Sequence, residues 1–327
     1  MKFHTVGKTG VQVSNLCFGT MSFGGNADEE TSKAMFKRCR EAGINFFDTA
    51  NSYNGGRSEE ILGECIADCR DEIVLTSKVF NPMGKDINAR GLSRRHIMLE
   101  VENSLRRLKT DRLDFYFVHN FDAKTPMEET LRALDDLQAQ GKILYPAVSN
   151  WAAWQIAKAL GISAKEQLAR FELIQPMYNL VKRQVEVEIL PLAVSEQIGV
   201  ISYSPLGAGL LTGKYGVNKR PNQGRLIEDQ KYTARYRDEM NFVVADRFVE
   251  YAAEHHIHPA TLAVAWVMSN PAITAPIIGA RNVEQLEYSL AAVDVDMSPE
   301  WREEISSLSV TPPPATDRAE TTLQIGK

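Results

Sequence analysis

Short apolar runs alternate with longer amphipathic stretches along nearly the whole chain. The apolar runs are rich in β-branched and aromatic residues, as expected of strands buried on both faces of a parallel sheet. The stretches between them have helical periodicity, and capping residues such as Ser58 and Ser93 stand at their starts. Eight strand-like runs precede such stretches: SNLCFGTM, NFFDTA, EIVLTSKVF, LDFYFVHN, ILYPAVSN, FELIQPMYN, GVISYSPLG and AITAPIIGA. This repetition predicts an α/β fold, a (β/α)₈ TIM barrel, with a doubly wound sheet as the alternative.

Three segments lie outside these units. The opening FHTVGKTGVQVS predicts a β-hairpin with its turn at residues 7–10, which could plug the lower end of the barrel. Residues 214–237, after the seventh strand, predict a long, charged and mobile loop. No linker divides the chain, so residues 1–309 are predicted to be one barrel domain. Residues 310–327 form a polar tail, which is a candidate lid or oligomer arm, and nothing in the sequence chooses between the two.

Composition narrows the possible partners. Of 327 residues, 44% are hydrophobic, and 37 basic against 42 acidic residues give a net charge of −5. This mild acidity argues against nucleic acid or an anionic membrane as the main partner. No apolar run approaches the ~18 residues of a membrane span, and the N-terminus lacks the apolar stretch of a signal peptide. We therefore expect a cytoplasmic protein that acts on a small molecule.

The cysteines and histidines predict neither disulfides nor a metal site. Cys65 and Cys69 are four residues apart in a helical pattern, which is not the spacing of a zinc site. The one histidine cluster, His255, His256 and His258, lies at a helix end with no strand to fix it. We expect inert thiols and no metal.

Polar residues close six of the predicted strands, at the end where a (β/α)₈ barrel carries its chemistry. In chain order they are Asp48 and Thr49, Ser77 and Lys78, His119 and Asn120, Ser149 and Asn150, Gln175, and Tyr203 with Ser204 and Pro205. A single polar residue there would mean little, because a strand end meets water. Six that converge on one rim predict a functional site.

Asp48, Lys78 and a nearby tyrosine, Tyr53, suggest a specific chemistry. A buried lysine needs a carboxylate to keep its charge, which Asp48 could supply. The ammonium of Lys78 could then lower the pKa of Tyr53 from its usual ~10 and make the phenol a general acid near neutral pH. His119 could donate a hydrogen bond that positions a carbonyl oxygen. These residues suit the reduction of a carbonyl, provided that something supplies hydride.

The motifs GINFFDTANSYNGGRSEEILGE, LTSKVF, RLDFYFVHN, VSNW, IQPMYN, SYSPLGAGLLTGKY and IIGARNVEQLE occur in this order. In this they resemble the aldo-keto reductases, especially the bacterial branch similar to the β subunits of voltage-gated potassium channels. The resemblance implies a (β/α)₈ barrel that binds NAD(P)H in extended form without a Rossmann domain. It also implies a catalytic tetrad at Asp48, Tyr53, Lys78 and His119.

The same resemblance implies the residues that hold the nicotinamide end of the cofactor. Ser149, Asn150 and Gln175 would bind the carboxamide, and Tyr203 would stack on the ring. The floor would comprise Gly19, Thr20 and Met21, beside Asp48. The loop around the pyrophosphate would comprise Ser204, Pro205, Leu206, Gly207, Ala208 and Gly209, with Lys214 at its end. The segment GAGLLTG fails the dinucleotide fingerprint in its glycine spacing. It fails the P-loop because Ala208 stands where a glycine is needed and Tyr215 where Ser or Thr is needed, so neither motif competes.

The adenosine end is expected after the eighth strand. Many relatives have a Lys-Ser pair where this chain has Gly279 and Ala280. Charge is supplied instead by Arg281, followed by Asn282, Gln285 and Ser289 on the next turns. An arginine at a helix N-terminus suits a phosphate, so NADP is favoured over NAD. Glu287 could instead hold ribose hydroxyls or face water.

Resemblance also suggests that Phe23, Phe80 and Phe121, with Met21, form apolar walls for a carbonyl substrate. The predicted function is NADPH-dependent reduction of aldehydes or ketones to alcohols, with Tyr53 as general acid. The alternative is a redox-sensing accessory subunit that binds NADPH and turns over slowly in a stable partner complex. A homo-oligomer is possible under either reading. A barrel hydrolase or lyase is disfavoured for want of a second catalytic carboxylate or a metal.

Overall fold

A computed structural model describes residues 1–316 and residue 318, and the rest of the predicted tail lies outside the described residues. Eight parallel strands form a closed barrel in which each strand pairs with the next along the chain and the last pairs with the first. They are β3 (Cys17–Gly19), β4 (Phe46–Asp48), β5 (Val74–Val79), β6 (Leu113–Val118), β7 (Ile143–Ser149), β8 (Leu173–Gln175), β9 (Gly199–Ser202) and β10 (Ala275–Ile278). The predicted (β/α)₈ barrel is confirmed, and the doubly wound alternative is wrong.

Helices cover the outside of the barrel. They are α1 (Glu29–Glu41), α2 (Arg57–Cys65), α3 (Arg94–Leu108), α4 (Met127–Ala139), α5 (Ala153–Glu166), α6 (Ile189–Glu196), α7 (Arg225–Glu228), α8 (Gln230–Arg235), α9 (Glu239–Glu254), α10 (Pro259–Met268), α11 (Val283–Leu290) and α12 (Pro299–Ser307). Their buried faces pack on the outward side chains of the strands in one large apolar cluster. A second, smaller cluster fills the barrel interior.

The N-terminal hairpin closes the lower end of the barrel. Strand β1 (Phe3–Thr5) pairs antiparallel with β2 (Gln12–Ser14), as predicted. Val6 and Val13 are fully buried and belong to the interior cluster of the barrel. Gly7 has φ +52°, and a Cβ there would lie 2.6 Å from the carbonyl oxygen of Gln197, so only glycine lets the hairpin approach so closely.

The alternation of side chains along each strand decides which residues enter the barrel. In β4, Phe46 packs inside and Phe47 outside, so Asp48 points inward again. In β5, Val74 packs inside, which places Lys78, four residues later, on the same inner face. By the same parity the inner residues that close the eight strands are Gly19, Asp48, Lys78, His119, Ser149, Gln175, Tyr203 and Gly279. We call these eight residues the inner ring.

Residues 214–237, here called the cover segment, were expected to be a long, mobile loop, and the structure shows short helices within them. The segment forms a turn bridged at Gly216 and Lys219 and then the short helices α7 and α8. It is anchored by buried Tyr215, Leu226 and Tyr236. These anchors are too widely spaced to form a periodic pattern, so the sequence shows only the charged residues between them.

Candidate active site

A buried ion pair lies at the centre of the inner ring. Lys78 Nζ donates to Asp48 Oδ2 at 2.6 Å and to the carbonyl oxygen of Thr49 at 2.6 Å. Lys78 is fully buried and Asp48 is 3% exposed, so neither charge meets bulk water. The other carboxylate oxygen accepts from Thr76 Oγ1 at 2.7 Å and from Gln175 Nε2 at 2.9 Å. Both oxygens of Asp48 therefore have donors, as a buried carboxylate requires.

The ion pair keeps Lys78 charged. Burial alone would lower the pKa of Lys78, but Asp48, with a smaller contribution from Tyr53, raises it above its ordinary value. Lys78 is therefore an ammonium at neutral pH, as predicted.

Tyr53 lies on the turn that follows β4 and faces the ion pair. Its hydroxyl is 3.5 Å from Lys78 Nζ. The turn is left-handed at Asn54, Gly55 and Gly56, with φ of 49°, 67° and 97°. Asn54 Nδ2 donates to the carbonyl oxygen of Met21 at 3.0 Å, which ties the turn to the loop after β3. Two glycines and an asparagine suit this conformation because other residues are strained there.

The pKa of Tyr53 moves in the direction opposite to the prediction. Burial raises it above its ordinary value, and the charge of Lys78 offsets only part of the increase. The ammonium is already engaged by two oxygens at 2.6 Å, which leaves the phenol the longest of its three contacts at 3.5 Å. Tyr53 is therefore a protonated phenol at neutral pH, able to donate a proton but not pre-ionised.

His119 is neutral beside the tyrosine. Burial and the charge of Lys78 lower its pKa to about 3. Asn81 Nδ2 lies 3.4 Å from Nδ1 of His119, and Ser52 Oγ accepts from the same amide at 3.1 Å. If Asn81 donates to Nδ1, the single imidazole proton resides on Nε2, which makes that nitrogen a donor. Asn81, which sequence reasoning missed, would thus select the tautomer that can hold a carbonyl oxygen.

A second ionic network supports the Tyr53 turn from outside the barrel. Glu59 accepts from Ser77 Oγ at 2.5 Å and from Arg107 Nε at 2.6 Å. Glu100 accepts from Asn51 Nδ2 at 2.8 Å, and Arg107 lies 3.7 Å from the same oxygen. The network joins α2 and α3 to the residues just before Tyr53. Its sequence signal is a carboxylate on an apolar helical face, since Glu59 shares that face with buried Leu62 and Ile66.

Ser58 has a different role from the one predicted. Helix α2 begins at Arg57 with Gly56 as its N-cap, so Ser58 does not cap it. The Ser58 hydroxyl instead donates to the carbonyl oxygen of Thr20 at 2.8 Å. It also lies 2.8 Å from the Thr20 hydroxyl and 3.0 Å from that of Thr49. This cluster links the ends of β3 and β4 behind the site.

A single cavity of about 620 Å³ opens above the inner ring and collects most of the predicted cofactor residues. Those in its wall are Gly19, Met21, Asp48, Asn150, Gln175, Tyr203, Ser204, Pro205, Leu206, Ala208, Gly209, Lys214, Gly279, Ala280, Arg281 and Gln285, together with Tyr53 and His119. Tyr203 donates to Asn150 Oδ1 at 2.7 Å, which orients both side chains.

Some predicted cofactor residues lie behind this wall. The Thr20 hydroxyl bonds within the Ser58 cluster, and Ser149 Oγ donates to the carbonyl oxygen of Gln175 at 2.9 Å. Gly207 and Ser289 are buried and outside the wall, and Asn282 caps α11 by accepting from the Gln285 amide at 2.9 Å. The predicted residues that bond or pack behind the cavity wall, and do not line the cavity, are thus Thr20, Ser149, Gly207, Asn282 and Ser289.

The three phenylalanines predicted to wall the substrate pocket do not line this cavity. Phe23 is fully buried and packs on Phe18, with ring centroids 5.8 Å apart. Phe80 and Phe121 pack against the core, and the ring centroids of Phe121 and Trp151 lie 5.0 Å apart in an edge-to-face arrangement. None of the three lies in the cavity wall, which near Tyr53 is formed by more polar residues. These are Ser22, Asn81, Asn120 and Tyr232, beside the apolar Met21.

The far end of the cavity carries several cations. Lys214, Arg225 and Arg281 lie in its wall, and Arg281 is 3.5 Å from Glu228. Partial desolvation and the charges of Arg281 and Arg225 lower the pKa of Lys214. With Lys231 and Arg235, which also line the cavity, these residues form what we call the cationic rim. Of these five, the sequence suggested only Lys214 and Arg281, because the other three lie on α7 and α8 of the cover segment, which the sequence did not predict.

Glu287 is not available to ribose hydroxyls. Its carboxylate accepts from Arg38 Nε at 2.6 Å and Nη2 at 2.9 Å, in a bidentate pair between α1 and α11. The carboxylate of Glu287 is therefore turned toward Arg38 of α1, and it does not serve as a ribose ligand in this structure.

The polar and charged groups that line the cavity suit a dinucleotide cofactor. Amide groups of Asn150 and Gln175 and the flat ring of Tyr203 lie beside the tetrad, where a carboxamide and an aromatic ring could bind. Backbone at Ala208 and Gly209 is left-handed, with φ of 58° and 91°, between that end and the cationic rim. Cations at the other end suit phosphates.

Other classes of site find no support in the part of the chain that the structure describes. No group of three His, Cys, Asp or Glu residues could hold a metal ion there. The four cysteines are free thiols, and burial raises the pKa of Cys17 and Cys39. None of the described helices is long and apolar enough to cross a membrane.

Comparison with known proteins agrees with this geometry. The model of the aldo/keto reductase family matches residues 15–309. The chain is 36% identical over 313 residues to YrpG, an uncharacterized oxidoreductase of Bacillus subtilis, covering 92% of this chain and 93% of the relative. It is 37% identical over 308 residues to a probable voltage-gated potassium channel subunit beta of Arabidopsis thaliana, covering 90% and 92%.

A third relative is a norsolorinic acid reductase of Aspergillus flavus, 34% identical over 311 residues and covering 90% of this chain and 78% of the relative. The family generally uses a nicotinamide cofactor. The chain therefore belongs to the aldo/keto reductase family and is an oxidoreductase of that family.

Proposed function

We propose that this protein reduces aldehydes or ketones to alcohols with NADPH, and that Tyr53 is the proton donor. The observation that carries the proposal is the protonated phenol of Tyr53 beside the Lys78–Asp48 ion pair, in the wall of a cavity with amides at one end and cations at the other.

Each of these residues has its own role in the proposed reduction. When bound, the reduced nicotinamide supplies the hydride that the carbonyl carbon accepts. His119, as a neutral donor, holds the carbonyl oxygen close to the Tyr53 hydroxyl. Tyr53 transfers its proton to that oxygen, so one hydride and one proton convert the carbonyl to an alcohol. Lys78 stabilises the Tyr53 phenolate that remains, and the phenolate then regains a proton from solvent.

NADPH is proposed over NADH because of the charge at the far end of the cavity. Lys214, Arg225 and Arg281 gather there, and the exposed Glu228 is the acid that pairs with one of them. An extra phosphate would relieve the mutual repulsion of these cations, whereas a free ribose hydroxyl would not.

The test is oxidation of NADPH and of NADH, measured in parallel, with a panel of aromatic and aliphatic aldehydes and ketones. We expect turnover with NADPH, and loss of about 10²–10⁴-fold in kcat when Tyr53→Phe removes the acid. Tyr53→Phe should still bind NADPH, as measured by fluorescence titration. A variant that keeps full kcat would reject Tyr53 as the proton donor.

The alternative is a redox-sensing accessory subunit, which the likeness to the Arabidopsis channel subunit favours. It predicts NADPH that co-purifies with the protein, turnover limited by cofactor release, and a stable complex with a partner. Pre-steady-state kinetics separates the two functions. A fast burst of NADPH oxidation followed by much slower turnover would support the accessory role, and steady turnover without a burst would support the reductase.

A further inference from the structure

The cover segment brings positive charge to the cavity above the inner ring. Residues 214–237 contain seven Lys and Arg residues against two acidic ones. Neither acid forms an ion pair within the segment. Glu228 lies 3.5 Å from Arg281, and Asp229 caps α8 by accepting from the Lys231 amide at 2.9 Å. The segment therefore offers cations that no acid of its own neutralises.

Arg235 is a cation of this segment that lines the same cavity as Tyr203. Its guanidinium is 4.9 Å from the ring centroid of Tyr232, and both residues share the cavity wall with Tyr53 and His119. Arg225 lies 5.1 Å from the centroid of the same Tyr232 ring. Among the residues that the structure describes, no carboxylate forms an ion pair with Arg235. A half-buried guanidinium without a carboxylate, facing a catalytic cavity, is suited to bind an anion there.

The electrostatic neighbours of Arg235 differ from those of the other arginines of the cationic rim. Burial raises the pKa of Tyr203 to about 12, and Arg235 is the charge that opposes this increase. Arg225 and Arg281 instead act on Lys214 and Tyr215, at the far end. The charge of Arg235 therefore acts on Tyr203, whereas Arg225, which approaches the same Tyr232 ring at 5.1 Å, acts on Lys214.

We propose that Arg235 anchors an anionic group of the substrate, so that the preferred substrates are aldehydes or ketones that carry a carboxylate. The inference rests on the proposed function and names its substrate class. The cavity wall agrees with it, since the three predicted phenylalanines do not line it, whereas the polar Ser22, Asn81 and Asn120 do. Lys231 lies one helical turn before Arg235 and lines the same cavity, so it adds charge at the rim.

The experiment compares 4-carboxybenzaldehyde with its neutral methyl ester, using NADPH and the full-length chain. Wild-type protein should prefer the carboxylate. Arg235→Gln should lower kcat/KM for the carboxylate by about 10- to 100-fold through KM, the range for a lost hydrogen bond to a charged group, and leave the ester unchanged. Arg237→Gln is the matched control, because Arg237 is exposed on the same segment and lies outside the cavity wall.

Two results would overturn the anchor. One is an equal loss for carboxylate and ester, and the other is weaker NADPH binding by Arg235→Gln in a fluorescence titration, which would make Arg235 a cofactor ligand. Calorimetry with 4-(hydroxymethyl)benzoate on the NADP-loaded protein tests the anchor without turnover. If no carbonyl is reduced but this anion binds and Arg235→Gln weakens its binding, the proposed function fails and the anchor stands.

Discussion

The inner ring and the cationic rim use charge in opposite ways. In the inner ring, Lys78 and Asp48 are buried and paired at 2.6 Å, and every oxygen of the carboxylate has a donor. In the rim, the side chains of Arg281 and Glu228 are 34% and 49% exposed, and Arg235 has no acidic partner among the described residues. The ring satisfies its charges internally, whereas the rim leaves charge free for ligands.

The difference follows from how each region is held. Strand pleating fixes the inner ring, so a change there leaves a buried group without a partner. Long side chains on loops and on the short helices α7 and α8 form the rim, so a change there alters binding and leaves the fold intact. Substitutions in the two regions should therefore separate stability and chemistry from recognition.

The largest effect is expected from Lys78→Met. It leaves the Asp48 carboxylate buried without its cation, which should lower the free energy of unfolding by about 3–5 kcal/mol and abolish turnover. Adding Asp48→Asn should restore much of the stability but not the activity. Urea unfolding and NADPH oxidation measure the two effects. A single variant as stable as the double variant would contradict the picture of a paired, buried charge.

Acid should destabilise the protein through His119. Its folded pKa of about 3 lies below its ordinary value, so its contribution to stability is complete above pH ~6.5 and is lost as the pH falls toward 3. At pH 5 the loss should be on the order of 2 kcal/mol. We expect His119→Asn to lose less stability than wild type between pH 7 and pH 5 in urea unfolding. If wild type and His119→Asn lost the same stability over this pH range, His119 would not be held neutral in the folded protein.

In the rim, Arg281→Ala should weaken NADPH binding by about 1.5–3 kcal/mol, the value of a hydrogen bond to a charged group, and leave NADH binding unchanged. Fluorescence titration with both cofactors measures this. Unfolding by urea should be unaffected, because Arg281 lies on the surface of the cavity. Equal losses for the two cofactors would place Arg281 away from the 2′-phosphate.

The smallest effect is expected from Glu228→Gln, which removes the exposed partner of Arg281. An exposed ion pair contributes about 0–1 kcal/mol, so stability should barely change. NADPH should bind more tightly by a similar amount, because Arg281 no longer has a competing carboxylate. The same titration serves as the readout, and weaker binding would indicate that Glu228 itself supports the cofactor site.

Local patterns predicted much of the architecture. The eight apolar runs predicted the barrel, and the polar residues at their ends included Asp48, Lys78 and His119, because side-chain alternation is a property of each strand alone. Tyr53 followed from its position one turn beyond β4. Asn81, Glu59 and Arg107 were missed because their roles depend on partners distant in sequence.

The errors share one physical cause. Phe23 was assigned to a pocket wall because it follows the first barrel strand, yet it turns into the core against Phe18. The pKa of Tyr53 was expected to fall because the tyrosine and lysine were considered as a pair, without the burial that raises it. The short helices of the cover segment were not predicted because its three buried anchors are scattered among charges.

The sequence by itself determined the family, the closed barrel and the identity of the residues around the Lys78–Asp48 pair, since these depend on short-range period and on motif order. Only the tertiary structure decided which polar groups meet, in which direction the pKa of Tyr53 shifts and that Arg235 lines the cavity. Burial and long-range electrostatics depend on every element packed around a group, and no local window of sequence contains them.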